Sequence, residues 1–167
     1  MRFRIPICAG PLASRQSTFM LEGACYSCTP RAVINTVDAK LRDLFDSHLE
    51  RVLAAMPQRV HDLLAEVPLF VEDYPSDEVL ENFKLNNRTQ LCGIYTGVPL
   101  DERTASELPI LPDVVTIFRE GIICHAATPD GNLSEEELRR QIRITLLHEL
   151  GHHHGMDEEE LRLLGYD

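Results

Sequence analysis

Three residues near the C-terminal end of the chain, His148, Glu149 and His152, form a pattern that suits metal chemistry. On a helix, two histidines four positions apart lie one turn apart on the same face, so both imidazoles can bind one ion. Zn²⁺ accepts neutral imidazole nitrogens at about 2 Å. Because Glu149 directly follows the first histidine, it can reach water beside the ion instead of the ion itself. The pattern predicts one zinc ion, a water activated to attack a carbonyl, and Glu149 as the general base.

A catalytic zinc site of this kind needs a third protein ligand. Gly155 is expected to end the helix, and a chain that reverses there brings Glu158 back over the two histidines. Glu158 is therefore the expected third ligand, and Asp157 is the second choice. His153 and His154 rank behind both.

The helix that carries these residues has signals of its own. Ser134 and Glu137 predict a capping box at its start, and the residues that follow are apolar on most faces, as in a central, buried helix. A His-Glu-x-x-His pattern alone also occurs by chance. In a buried helix, however, unpaired histidine and glutamate side chains would be costly, which favours a metal site. Gly151 costs about 1 kcal/mol relative to alanine in mid-helix and predicts close packing against a neighbouring strand.

The rest of the chain predicts an α+β domain in which helices pack on one face of a small mixed sheet. Apolar residues at helical spacing predict a long helix from about Asn35 to just before Pro57, followed by a second helix. Asp157 and Glu160 predict a second capping box and a short last helix over residues 158–164. The predicted strands cover residues 67–72, 91–95 and 114–118, and residues 121–125 are expected to extend the third strand or to form a fourth.

Composition limits the possible partners. The chain of 167 residues has 16 basic and 27 acidic side chains and a formal charge of −11, which would repel nucleic acid and anionic lipid. No apolar run is long enough to cross a bilayer, so a cytoplasmic location is the default expectation. Residues 1–34 lack sustained periodicity and are expected to form an irregular arm before a domain that covers residues 35–167. The oligomeric state is not predicted.

Two further groups have alternative interpretations. Cys25 and Cys28 have the spacing of a metal or redox pair, with Cys8 as a conceivable third ligand, but two free thiols in the arm are the simpler interpretation. An odd total of five cysteines argues against a disulfide framework. Tyr95 could donate a hydrogen bond to a tetrahedral intermediate, or it could simply pack.

Taken together, these residues resemble the minimal zincin-like metallopeptidase family and its pattern HExxHxxGxxD. His148, Glu149, His152 and Gly155 match the pattern, and Glu158 stands at the position of its aspartate. The resemblance extends over residues 35–166 and includes three more segments, at residues 67–73, 91–103 and 111–119. It implies a reduced zincin-like fold with a small mixed sheet, a central active-site helix and a cleft along one edge strand.

Two classes of function follow from these observations. One is a zinc-dependent peptidase that acts on a peptide or protein substrate, and acidic residues in its cleft would favour basic or neutral peptides. The other is a non-catalytic, zinc-stabilised module that binds an extended peptide at its sheet edge. An open coordination position beside Glu149 favours the peptidase. A closed site with four protein ligands, for instance one completed by both Glu158 and His154, favours the module.

Overall fold

The computed structural model describes residues 37–103, 112–128 and 130–166 of the chain. The predicted arm over residues 1–34, with Cys8, Cys25 and Cys28, lies outside them. Within the described residues the chain forms six helices, three strands and two short 3₁₀ turns, which confirms the predicted α+β class. In chain order these are α1 (Ala39–Ala54), α2 (Gln58–Glu66), β1 (Leu69–Glu72), α3 (Asp77–Asn82), a 3₁₀ turn (Arg88–Gln90), β2 (Gly93–Thr96), a second 3₁₀ turn (Leu100–Glu102), β3 (Val114–Phe118), α4 (Arg119–Ala126), α5 (Glu135–His153) and α6 (Glu158–Leu163).

The three strands form one mixed sheet in the order β1-β3-β2. β3 is central: it pairs in parallel with β1, where Leu69 lies opposite Val115. It pairs antiparallel with β2, where Gly93 lies opposite Ile117. Because side chains alternate along a strand, Val115 and Ile117 point to the same face, and both are fully buried. β2 is therefore an edge strand with one side free of strand pairing in the described part of the chain.

Helix α5 packs under the sheet and connects it to the other helices. It contacts β2 and β3 on one side and α1 and α4 on another. Its buried apolar residues join those of the sheet and of α1 in a single core that includes Phe45, Ile117, Ile142 and Leu146. Burial of such side chains contributes about 1.5–3 kcal/mol each, so α5 is held firmly relative to the strands. Among the described residues, no helix is both long and apolar enough to cross a membrane.

Three sequence-based predictions are wrong, each for a physical reason. Residues 121–125 lie in helix α4 and not in a strand, because a short apolar run that is buried on most sides has no periodicity that distinguishes the two. Gly151 does pack closely, but against the side chain of Leu161 in α6 and not against a strand. At the start of α5, Ser134 accepts a hydrogen bond from the Glu137 amide at 3.3 Å. The Glu137 side chain does not complete the capping box and instead bonds to Arg140 and Gln141.

Candidate metal centre and cleft

The C-terminal half of α5 brings two imidazoles together on one face. His148 and His152 lie edge to face, with 4.7 Å between their ring centroids. Their Nε2 atoms are 3.0 Å apart. The core contacts of α5 fix the backbone at both positions. The spacing of four residues then puts both imidazoles on the same face of the helix, as the sequence predicts.

Helix α6 adds a carboxylate to this pair. Gly155, at a left-handed φ of +79°, ends α5 and reverses the chain. The carboxylate of Glu158 then lies with Oε1 3.3 Å from His152 Nε2 and Oε2 3.7 Å from His148 Nε2. In the described part of the chain, these three side chains form a cluster whose candidate ligand atoms all lie within 4.8 Å of one another.

The hydrogen bonds of the two histidines determine which nitrogen faces the cluster. His148 Nδ1 lies 2.7 Å from the main-chain oxygen of Tyr166, and His152 Nδ1 lies 3.1 Å from that of Met156. A carbonyl oxygen can only accept, so each Nδ1 carries a hydrogen and each neutral ring presents its Nε2 lone pair to the other. Two lone pairs 3.0 Å apart beside a carboxylate repel unless a proton or a cation lies between them.

This donor set fits a zinc ion. Two imidazoles and a carboxylate are a known catalytic zinc set, and orientation of the imidazoles by main-chain carbonyls is typical of metal-bound histidines. The Oε1 atom of Glu158 is buried and, among the described residues, accepts no hydrogen bond of normal geometry. Burial acts to raise the pKa of Glu158, but hydrogen bonds and charge attraction from His148 and His152 in their protonated forms outweigh it and lower this pKa to about 2. The carboxylate is thus charged and has coordination capacity left.

The other residues considered as third ligand are used elsewhere. Asp157 caps α6: its Oδ1 accepts from the Glu160 amide at 2.9 Å, and the Glu160 side chain accepts from the Asp157 amide, the reciprocal box expected from the sequence. His153 is buried on a different face of α5, and its Nδ1 lies 3.3 Å from the Tyr95 hydroxyl. His154 is exposed at the helix end.

Glu149 lies between α5 and strand β2 and is 3% exposed. Gly93 makes room for it, since a Cβ atom there would lie 2.8 Å from Glu149 Oε1. Burial raises the pKa of Glu149 to about 7, although His148 and His152 in their protonated forms and a hydrogen bond from the Tyr95 amide act to lower it. A carboxylate with such a pKa can both accept and release a proton near neutral pH.

The Tyr95 hydroxyl belongs to a polar network that sequence analysis missed. It donates to Asp113 Oδ1 at 2.6 Å, and Asp113 Oδ2 in turn accepts from Arg103 at 2.5 Å. Burial, together with the hydrogen bond to Asp113, raises the pKa of Tyr95. The hydroxyl hydrogen is therefore committed to Asp113 and is not aimed at the cleft. Asp113 is 18 residues from Tyr95, and no local sequence signal joins the two.

An open cleft runs between edge strand β2 and the metal centre. Its acidic lining residues are Asp101, Glu102 and Glu149, and no lysine or arginine is among the described residues that line it. The remaining lining residues are mainly apolar or glycine: Phe83, Gly93, Ile94, Tyr95, Gly97, Pro99, His152, Gly155 and Met156. The cleft thus has acidic side chains and strand β2 in its lining.

Comparison with known proteins identifies a family. The family model described as zincin-like metallopeptidase matches residues 64–166, which include the sheet, the cleft and the candidate metal centre. The mixed arrangement of helices and a small sheet is that of a reduced zincin-like fold. A search of curated proteins finds no match to the chain.

Proposed function

The chain belongs to the zincin-like metallopeptidase family, and from that premise we propose that it hydrolyses peptide bonds with one zinc ion held by His148, His152 and Glu158. The family implies a zinc cofactor and a peptide substrate. One observation carries the rest of the proposal: the buried carboxylate of Glu149 lines the same cleft as His152, which belongs to a cluster of three side chains that could bind a metal ion.

The roles of the residues follow from their positions. A bound zinc ion supplies Lewis acidity, which makes nearby water more acidic and polarises a carbonyl. His148 and His152 present Nε2 to the ion, because both Nδ1 atoms are occupied by carbonyls. Glu149 takes the proton from the attacking water and later gives it to the amine nitrogen of the leaving group. The burial of Glu149 against Gly93 of β2 holds the carboxylate in place for both transfers.

The set of ligands supports a catalytic ion over a structural one. Structural zinc sites are closed by four protein ligands, whereas catalytic sites keep one position open. Among the described residues the cluster has three members, and His154, which is one possible fourth ligand, is exposed. The cleft lies directly beside the cluster, since His152 and Glu149 line it. A substrate bound along β2 would therefore reach the open position.

The test begins with the metal. Elemental mass spectrometry on tag-free protein should find about one zinc per chain in the wild type and none in His148→Ala. His154→Ala is the matched control, because it removes an exposed histidine of the same run and should keep the zinc. Zinc retained in His148→Ala, or no zinc in the wild type even after zinc is added, would remove the basis of the proposal.

The second step tests catalysis. Glu149→Gln should keep the zinc and abolish cleavage of any peptide that the wild type cleaves in a library. Glu159→Gln, on an exposed side chain of α6, serves as the control and should cleave normally. Full cleavage by Glu149→Gln would refute Glu149 as the base. A zinc-loaded wild type that binds peptides without cleaving them would favour the non-catalytic module.

A further inference from the structure

Each histidine of the metal centre is oriented by a carbonyl that directly follows a left-handed glycine. Gly155 has φ +79° and precedes Met156, whose oxygen contacts His152 Nδ1. Gly165 has φ +78° and precedes Tyr166, whose oxygen contacts His148 Nδ1. The same local arrangement thus occurs twice, once at the end of α5 and once at the end of α6.

Both turns are Schellman motifs, in which two amides beyond the helix bond back to its last carbonyls. At the end of α5, the Gly155 amide donates to the His152 oxygen at 3.0 Å and the Met156 amide donates to the Gly151 oxygen at 3.1 Å. At the end of α6, the amides of Gly165 and Tyr166 donate in the same way to the oxygens of Arg162 and Leu161, both at 3.0 Å. These bonds fix the direction of the carbonyl that follows the glycine.

We propose that the C-terminal turn of α6, at Gly165 and Tyr166, is a positioning element for the metal centre and acts through His148. The inference rests on the proposed function, because it assumes that His148 binds zinc. The Tyr166 carbonyl holds the hydrogen of His148 on Nδ1 and thereby turns the Nε2 lone pair towards Glu158 and His152. Without this acceptor, the ring is free to place its hydrogen on Nε2, and that nitrogen can then no longer bind an ion.

Helix α6 transmits this effect as a rigid unit. Its first residue, Glu158, supplies the carboxylate, and the turn at its end supplies the carbonyl for His148. Between them, Leu161 is fully buried and its side chain lies against Gly151 of α5, so the helix is anchored at its centre. A substitution of Gly165 therefore changes the direction of the Tyr166 carbonyl and removes neither the Glu158 carboxylate nor the packing of Leu161.

Gly165 is a suitable position for a test, because a side chain added there does not clash with any neighbour. A Cβ added there would meet nothing within 4 Å, so alanine at this position introduces only the strain of a left-handed φ. Gly131 is the matched control, since its φ is +80°. Gly131 is also far from the histidines. It lies before Glu135, the first residue of α5, and His148 is 13 residues, or about 20 Å, further along that helix.

The first experiment measures the zinc dissociation constant of the full chain by competition with a chromophoric chelator. Gly165→Ala should weaken zinc binding roughly 10- to 100-fold, as the loss of other hydrogen bonds to metal-bound histidines does. Gly165→Asn should lose less zinc affinity than Gly165→Ala, because asparagine tolerates the left-handed region better than alanine does. Gly131→Ala should bind as the wild type does. Unchanged affinity in Gly165→Ala, or an equal loss in Gly131→Ala, would overturn the proposal.

A second experiment does not depend on any variant. In the metal-free wild type, at a pH where the ring is neutral, long-range ¹⁵N–¹H NMR of the imidazole should show His148 with its hydrogen on Nδ1. A hydrogen on Nε2 would overturn the proposal. The outcomes also separate the two proposals: zinc binding that does not need His148 contradicts the proposed function, whereas His148-dependent binding that Gly165→Ala leaves unchanged contradicts only the positioning role.

Discussion

Gly93 on strand β2 makes room for Glu149, the proposed general base, and replacing it with alanine should impair the proposed catalysis without removing a bound metal. A Cβ atom at this position would lie 2.8 Å from Glu149 Oε1 and 2.9 Å from Thr145 Cγ2. Both contacted side chains belong to α5 and are buried. Neither can therefore swing into solvent, and the strand and the helix must move apart.

The size of the effect follows from these distances. Ordinary van der Waals contact begins near 3.4 Å, so Glu149 Oε1 must retreat by 3.4 − 2.8 = 0.6 Å. A misplacement of 1 Å in a catalytic group can cost about 100-fold in rate. On a logarithmic scale, a displacement of 0.6 Å then corresponds to a loss of roughly 15-fold in kcat. The zinc affinity should not change, because the Cβ atom approaches none of the three proposed ligands.

The assay is cleavage of a fluorogenic peptide, selected from a library with the wild type, alongside zinc content by elemental mass spectrometry. Gly131→Ala controls for the general cost of replacing a glycine, since Gly131 lies in the turn before α5. A Gly93→Ala protein that keeps wild-type kcat would refute the view that β2 sets the position of the base. Loss of zinc in parallel with activity would refute it as well, because the damage would then lie in the metal centre.

Three further predictions concern the ligands, the pH dependence and the substrate. Glu158→Ala should lower zinc affinity by orders of magnitude, as measured by chelator competition. Asp157→Ala should leave the zinc affinity unchanged and lower the free energy of unfolding by about 1 kcal/mol, because the helix cap is lost; thermal unfolding measures this. The reverse pattern would make Asp157 the ligand. Burial acts to lower the pKa of His148, but Glu158 and Glu149 outweigh it and raise this pKa above 6.5. Zinc must displace that proton, so zinc affinity should fall by about tenfold per pH unit below the raised pKa. Calorimetry in buffers of different ionisation enthalpy should detect the proton that zinc binding releases. If no proton is released, His148 is not a zinc ligand. Asp101→Asn should reduce a preference for basic substrate residues by about two- to fivefold in kcat/KM, as expected for an exposed charge pair. Glu50→Gln on α1 is the control and should leave this preference unchanged. An unchanged peptide-library profile in Asp101→Asn would exclude Asp101 from substrate recognition.

Local patterns were sufficient to predict the elements around the metal centre. The start of α6 is encoded by Asp157 and Glu160, whose reciprocal hydrogen bonds need only four consecutive residues. The reversal between α5 and α6 is encoded by Gly155, because few other residues adopt its φ. These two signals place Glu158 over the histidines, where the structure finds it. That the three side chains bind a metal remains a prediction.

Features that depend on distant contacts could not be predicted in this way. The residues of α4 form an apolar run with no distinct periodicity, and its helical state follows from burial against α5. The partner of Gly151 is the side chain of Leu161 in α6 and not a strand residue, and no local pattern joins these two positions. The carbonyls of Met156 and Tyr166 contact the histidines, and nothing in the sequence indicates which histidine each carbonyl would reach.

The distribution of the metal centre along the chain has a consequence for folding. Its three proposed ligands fall within 11 residues, from His148 to Glu158, and the orienting carbonyls lie no further than Tyr166. Contacts this local form early, whereas Gly93, which accommodates the base, lies 149 − 93 = 56 residues before Glu149. A newly made chain should therefore capture zinc before its sheet is complete and gain the ability to cut peptides only afterwards. If the proposed function holds, metal binding and completion of the active site would then be separate events in folding.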